Sequence, residues 1–145
     1  MPSDLAYERA SRYTVIPLHI TFDINSIETC LHNQLPVIIG IKLLDTAAHT
    51  MQHNGGYLEV PDLDNTLIGK TGLHGVMVVG YDRKRQYFIC RNSWGNRWGY
   101  RGYFYMPYDY ITHPSLIDDR NGLWSILKII RRTSTLPTVR RFIVS

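Results

Sequence analysis

His74-Gly75-Val76-Met77-Val78-Val79-Gly80-Tyr81, then Asp82-Arg83-Lys84-Arg85, then Gln86-Tyr87-Phe88-Ile89-Cys90-Arg91 and Asn92-Ser93-Trp94-Gly95, run on as one uninterrupted stretch of the chain. Two apolar runs flank a polar cluster, which is the pattern of a β-hairpin. With the turn centred on Arg83, facing residue numbers sum to 166, so His74 stands opposite Asn92. Side chains opposed in this way have Cβ atoms about 4.5–5.5 Å apart. The Asn92 amide oxygen can then accept a hydrogen bond from one ring nitrogen of His74, which fixes the tautomer and aims the other nitrogen outward. Such a pair is the base and its orienting partner in a nucleophilic site. The inference depends on register, because a slip of one residue sends the two side chains to opposite faces.

Upstream of the hairpin, Val37-Ile38-Ile39-Gly40-Ile41 reads as a buried strand beginning after Pro36. A helix is expected over 25–35, with Asn25 as its cap and Glu28 completing a capping box, and with Ile27, Cys30 and Leu31 on one face. Residues 1–21 read as a lead-in with a short extended piece at Tyr13–Ile16, stopped by Pro17. Residues 44–72, with Gly55-Gly56, Pro61 and Gly69, read as a long loop, and loops of that length tend to be functional. Downstream, 92–101 is an irregular loop rich in Gly and Trp. Two further strands follow, at 102–106 and 123–130. One early helix with a mostly antiparallel, barrel-like sheet is an α+β arrangement. The divisions that follow are a lead-in (1–21), one domain (22–130) and a basic tail (131–145).

The 145 residues suffice for one domain with a core, and 44% apolar with 19% charged residues suits a globular chain. The net charge of +4 belongs to the tail: residues 1–130 balance twelve Lys and Arg against twelve Asp and Glu, while 131–145 add four Arg and no acid. That tail reads as a solvated end, and neither a zinc-finger pattern nor a basic helix interleaved with aromatics points to nucleic acid. The first twenty residues lack a basic start followed by an apolar run, and the apolar stretch 37–41 is too short to cross a bilayer, so no membrane association is expected. Cys30 and Cys90 do not form a disulfide framework, which fits a reducing, cytoplasmic setting. His49 and His53 are four apart, but Gly55-Gly56 argue against a helix there and no third ligand is evident, so neither a metal nor a cofactor is expected. His19, His32 and His113 carry no pattern.

Asn92-Ser93-Trp94-Gly95, Trp98-Gly99 and Gly102-Tyr103 together closely resemble the asparagine motif of the papain-like cysteine peptidases. His74, followed by an apolar strand ending in Gly80-Tyr81, resembles that family's histidine motif. The helix before Pro36-Val37 keeps the family's order, and Tyr103–Tyr108 with Leu123-Trp124-Ser125-Ile126 resemble its bacterial or viral members. The resemblance covers about residues 20–130 and implies the β-rich right-hand domain of a two-domain enzyme that hydrolyses peptide bonds with a Cys-His-Asn triad. It makes His74 the base and then the acid for the leaving amine, with Asn92 orienting it. It makes Trp94 a shield over their hydrogen bond and a wall of the leaving-group side. Gly72, Leu73 and Gly75 would line the cleft, with Gly40 at the base of a roomy, apolar specificity pocket taking a bulky hydrophobic side chain. Leu73 departs from the polar residue many members carry there.

The family's cysteine stands about 130–150 residues before the histidine. Counting back from His74 runs past residue 1, and no Cys-Gly-Ser-Cys-Trp-like run occurs here. Cys30, on the apolar helix face, and Cys90, in mid-strand beside Phe88, read as buried and inert. Three readings follow. The chain is the C-terminal half of a peptidase that acts on peptides or proteins when a Cys-bearing N-terminal domain docks. Alternatively it is a degenerate peptidase domain that binds peptides or proteins without cleaving them, or a structural protein reusing the fold. A contiguous exposed apolar face is expected where the other domain would pack.

Overall fold

Apolar residues alternate along Val37–Leu44, with Val37, Ile39, Ile41 and Leu43 buried, and this strand is the backbone around which the rest is arranged. The computed structural model describes residues 1–62, 71–118 and 122–132. Along the chain run α1 (Asp4–Ala10), β1 (Tyr13–Ile20), α2 (Ile24–His32), β2 (Val37–Leu44), α3 (Ala47–His53), β3 (Thr71–Asp82), β4 (Tyr87–Arg91), β5 (Tyr103–Pro107), α4 (Tyr108–Thr112) and β6 (Leu123–Arg131). The six strands form one sheet in the order β1-β6-β2-β3-β4-β5, with every pairing antiparallel. Among the described residues β1 and β5 are its edges. The architecture is α+β. Phe88, Cys90, Phe104 and Met106 of β4 and β5 join Val76 and Val78 of β3 in the core, together with Ile27 of α2. Burying a side chain such as Phe88 or Phe104 contributes about 1.5–3 kcal/mol.

The expected early helix is α2, but Asp23 caps it rather than Asn25: its carboxylate accepts from the Ser26 backbone N–H at 2.8 Å and the Ser26 hydroxyl at 2.6 Å. Glu28 is therefore free of a capping box and turns inward, 3% exposed. There it accepts hydrogen bonds from the Tyr108 hydroxyl and from Nε and Nη2 of Arg83, tying α2 to α4 and to the β3–β4 turn.

Among the described residues three further helices accompany it. Ser3 caps α1, whose residues are all exposed. The glycines at 55 and 56 do not prevent α3 but follow its end, both at positive φ, as chain reversals after a helix require. α4 starts directly after Pro107, whose φ of −60° suits a helix entry.

The boundary expected between 21 and 22 is not a structural one. β1 passes through Pro17 with a bulge between Ile16 and Pro17 and pairs with β6. Proline is tolerated there because β1 is an edge strand. At the other end Arg131 belongs to β6, and Arg132 donates its backbone N–H to the Arg12 carbonyl at 2.7 Å. The rest of the expected basic tail, 133–145, lies outside the described residues.

Candidate functional site

The β3–β4 hairpin positions the two residues on which the site depends. Its loop is Arg83–Gln86, with Gln86 at φ 60°, and Asp82 pairs with Tyr87. That loop raises the facing sum to 169, and a bulge between Val78 and Gly80 returns it to 168 at Val78↔Cys90 and Met77↔Arg91. A turn centred on Arg83, with its sum of 166, is thus off by two: continued one residue, the ladder sets Asn92 across from Val76 rather than His74. Two is the side-chain period of a strand, so the slip leaves Asn92 on the same face as His74. The contact is diagonal, a separation of about 7–8 Å between backbones that side chains can span.

They do span it: Nε2 of His74 lies 2.8 Å from Oδ1 of Asn92. The same oxygen accepts the Ser93 backbone N–H at 2.7 Å. An amide flipped the other way would turn its NH₂ toward that N–H, so Ser93 fixes the carbonyl toward His74. Nε2 must then be the protonated nitrogen, which leaves Nδ1 with its lone pair, the form a general base needs. Asn92 is itself anchored by its backbone N–H, which donates to the Gly102 carbonyl at 2.9 Å. Its Nδ2 is buried and has no hydrogen-bond partner among the described residues.

Trp94 lies against the histidine, with ring centroids 4.6 Å apart and planes tilted by 30°, while its outer side stays 41% exposed. Trp98, named in the sequence only as part of a motif, meets Trp94 edge-on at 4.7 Å and donates its indole N–H to the Ala48 carbonyl at 3.3 Å. Its spacing four residues after Trp94 was the signal for it.

Gly99 sits at φ 55°, where a Cβ would stand 2.6 Å from the Tyr103 carbonyl oxygen, itself held by the Tyr100 N–H. Gly99→Ala therefore combines left-handed strain of roughly 1–2 kcal/mol with a backbone clash. The expected result is a fall in melting temperature of at least about 4 °C together with altered tryptophan near-UV dichroism. Unchanged melting and dichroism would refute it.

The remaining named positions divide by strand face. Gly40 pairs with Gly75 and Lys42 with Leu73 on the face opposite His74, whereas Gly72 pairs with Leu43 on the face of His74. Gly72 and Gly75 open to space, and Leu73 is 56% exposed. Gly40 does not open onto an apolar floor: a Cβ there would meet Asp118 Cβ at 3.2 Å and its Oδ2 at 3.8 Å. The reading of a wholly apolar pocket floor missed Asp118 because it lies far along the chain.

His49 and His53, expected in a loop, both lie on α3 with rings 4.3 Å apart. Among the described residues no three His, Cys, Asp or Glu side chains gather as a metal site. Cys90 is fully buried and Cys30 partly so, and desolvation pushes both thiols up, away from the reactive thiolate. No described helix is long and apolar enough to cross a membrane.

The model of the papain family cysteine proteases matches residues 4–116. The chain is 30% identical over 106 residues to the uncharacterized peptidase C1-like protein L477 of Acanthamoeba polyphaga mimivirus, spanning 73% of this chain and 32% of that protein. It is 39% identical over 77 residues to Peptidase 1 of Psoroptes ovis, spanning 52% of this chain and 22% of that one. Its fold resembles that of xylellain, a cysteine protease from Xylella fastidiosa, with a TM-score of 0.72 and 31% identity, covering 86% of this chain and 44% of xylellain. The chain thus spans about a third or less of the curated relatives named here. The match over most of its length, and the shared fold, place this chain in the papain family of cysteine proteases.

Proposed function

We propose that this chain supplies the histidine and asparagine of a Cys-His-Asn peptidase site, and that hydrolysis of a peptide bond requires a cysteine from outside these 145 residues. The observation that carries the reading is the His74–Asn92 hydrogen bond under Trp94, with the Ser93 N–H setting the tautomer. In the proposed reaction His74 Nδ1 takes the proton of the cysteine thiol. The resulting thiolate attacks the carbonyl carbon of a peptide or protein substrate. The imidazolium then protonates the departing amine, and water hydrolyses the acyl-enzyme with the same base. Asn92 holds the ring through both proton transfers.

What supports a cysteine-bearing domain as the partner is the surface beside the pair. A groove of about 610 Å³, lined by Ile38, Gly75, Met77, Arg91 and Asn92 among others, opens on the sheet face opposite His74 and reaches Asn92 at the strand end. Ile38 is 46% exposed and pairs with Trp124, 40% exposed, and Ile126 continues that apolar strip.

The test supplies the cysteine half in trans. The part of xylellain that this chain does not match, co-expressed with this chain, is expected to give turnover of a fluorogenic peptide that neither piece gives alone. A stable complex that binds peptide without cleaving it would favour a binding domain instead, and no association would remove the partner from the proposal.

A further inference from the structure

Helix α3 reaches the loop that carries Trp94 through one side chain. Gln52 Nε2 donates to the Arg97 carbonyl at 3.2 Å, and its Oε1 accepts the Gly99 N–H at 3.1 Å. The two bonds demand opposite ends of the amide, so together they fix its orientation and grip the loop on both sides of Trp98. The indole N–H of Trp98 adds a third tie to α3, at Ala48. The line of contact then runs from Trp98 to Trp94, edge-on at 4.7 Å, and from Trp94 to the His74 ring at 4.6 Å. Among the described residues no side-chain hydrogen bond holds Trp94, and its place over His74 follows from the loop that carries it. The ten-residue loop from Asn92 to Arg101 is anchored by Asn92 and by Trp98 against the core, while Ser93, Gly95, Asn96 and Arg97 between them are exposed, so its middle depends on ties such as those of Gln52.

We propose that Gln52 is a positioning residue for the His74–Asn92 pair: by bridging Arg97 and Gly99 it holds the tryptophan loop so that Trp94 stays over the histidine. Its relevance to catalysis rests on the reading of His74 and Asn92 as catalytic, but the brace itself is a property of this chain and is measured without substrate. With Gln52 in place, Trp94 shields the Nε2–H of His74 from water, and the indole ring current displaces the carbon-bound ring protons. Removing the brace lets water reach the bond and removes that displacement.

The experiment is histidine-ring NMR on the 145-residue chain, with His74 assigned by His74→Gln. In the unsubstituted chain a slowly exchanging Nε2–H and ring-current-shifted ring protons are expected. In Gln52→Ala the N–H line is expected to be lost to solvent exchange and the ring-proton shift to disappear, in protein that remains folded. Gln52→Glu keeps the acceptor for Gly99 and gives up the donor to Arg97, so it should recover part of both signals. Thr50→Ala, which removes only a bond within α3 to the Thr46 carbonyl, should leave both unchanged. A Gln52→Ala chain with an intact Nε2–H line and unmoved ring protons overturns the proposal, even where its melting temperature has dropped. Should Gln52→Ala fail to fold, Gln52→Glu decides on the same signals: no movement from the unsubstituted chain overturns it. Failure of complementation in trans, with these shifts as expected, would remove the catalytic reading and leave the brace.

Discussion

Purified as the 145-residue chain, this protein is expected to release no fluorophore from peptide substrates and to stay unlabelled by thiol-directed peptidase probes. Its two thiols are the reason. Cys90 is fully buried and pairs with Val78, four residues along β3 from His74, which at the strand rise is about 13 Å. Cys30 belongs to α2 and packs against the core, where desolvation raises its thiol. Neither thiol is poised as a thiolate, and Cys90 lies out of reach of Nδ1. In an assembly that supplies the cysteine, His74→Ala should lower kcat by about 10²–10⁴-fold, since it removes the proton acceptor and donor for both steps. Asn92→Ala should cost much less, because a neutral hydrogen bond is worth about 0.5–1.5 kcal/mol, roughly a twofold to tenfold change. Turnover by the chain alone that disappears in Cys30→Ala or Cys90→Ala would end this account. So would equal losses for His74 and Asn92 in the assembly.

The second large effect is on stability. Glu28→Ala leaves the buried Tyr108 hydroxyl without its acceptor, at a cost of about 1–3 kcal/mol, and unties α2 from the Arg83 turn. Tyr108→Phe keeps the Arg83–Glu28 pair and should cost about 1 kcal/mol. The Arg83 hydrogen bond, aided by that of Tyr108, holds the Glu28 carboxyl below its ordinary value against the opposing effect of burial. A carboxyl depressed in the folded state stabilises fully above its unfolded pKa of about 4.3 and loses that contribution as pH falls through the folded value. Melting curves should therefore show an acid-side loss of stability that is smaller in Glu28→Gln. An acid slope identical in the two, or Glu28→Ala melting like the unsubstituted chain at pH 7, would show that the network is not a structural tie.

How much of this was legible in the sequence depends on how local the cause is. The strands, the hairpin and the pairing of His74 with Asn92 follow from apolar runs and from parity, which survives an error of two in the register. The bulge at Val79 falls inside the apolar run from Val76 to Val79 and leaves no mark in the sequence. The helix over 47–53 was hidden by Gly55-Gly56, read as breaking what they terminate. The capping-box pattern at Asn25 and Glu28 misled because Asp23 competes locally for the same role, and because the partners of Glu28 are 55 and 80 residues away. Asp118 beside Gly40 and Gln52 beneath the tryptophan loop are likewise products of tertiary contact. No periodicity announces either.

The strand order has a consequence for how the molecule is made. β6 lies between β1 and β2, which precede it by about a hundred residues, and Tyr13 pairs with Arg131. A chain emerging from the ribosome N-terminus first therefore presents β1 and β2 as two banks with no strand between them. The β2–β5 sheet, which holds His74 and Asn92, can assemble while β1 still waits. Its apolar edge stays open to wrong partners until β6 has been made, so vectorial folding is where this domain is most exposed to misassembly and to the chaperones that guard against it.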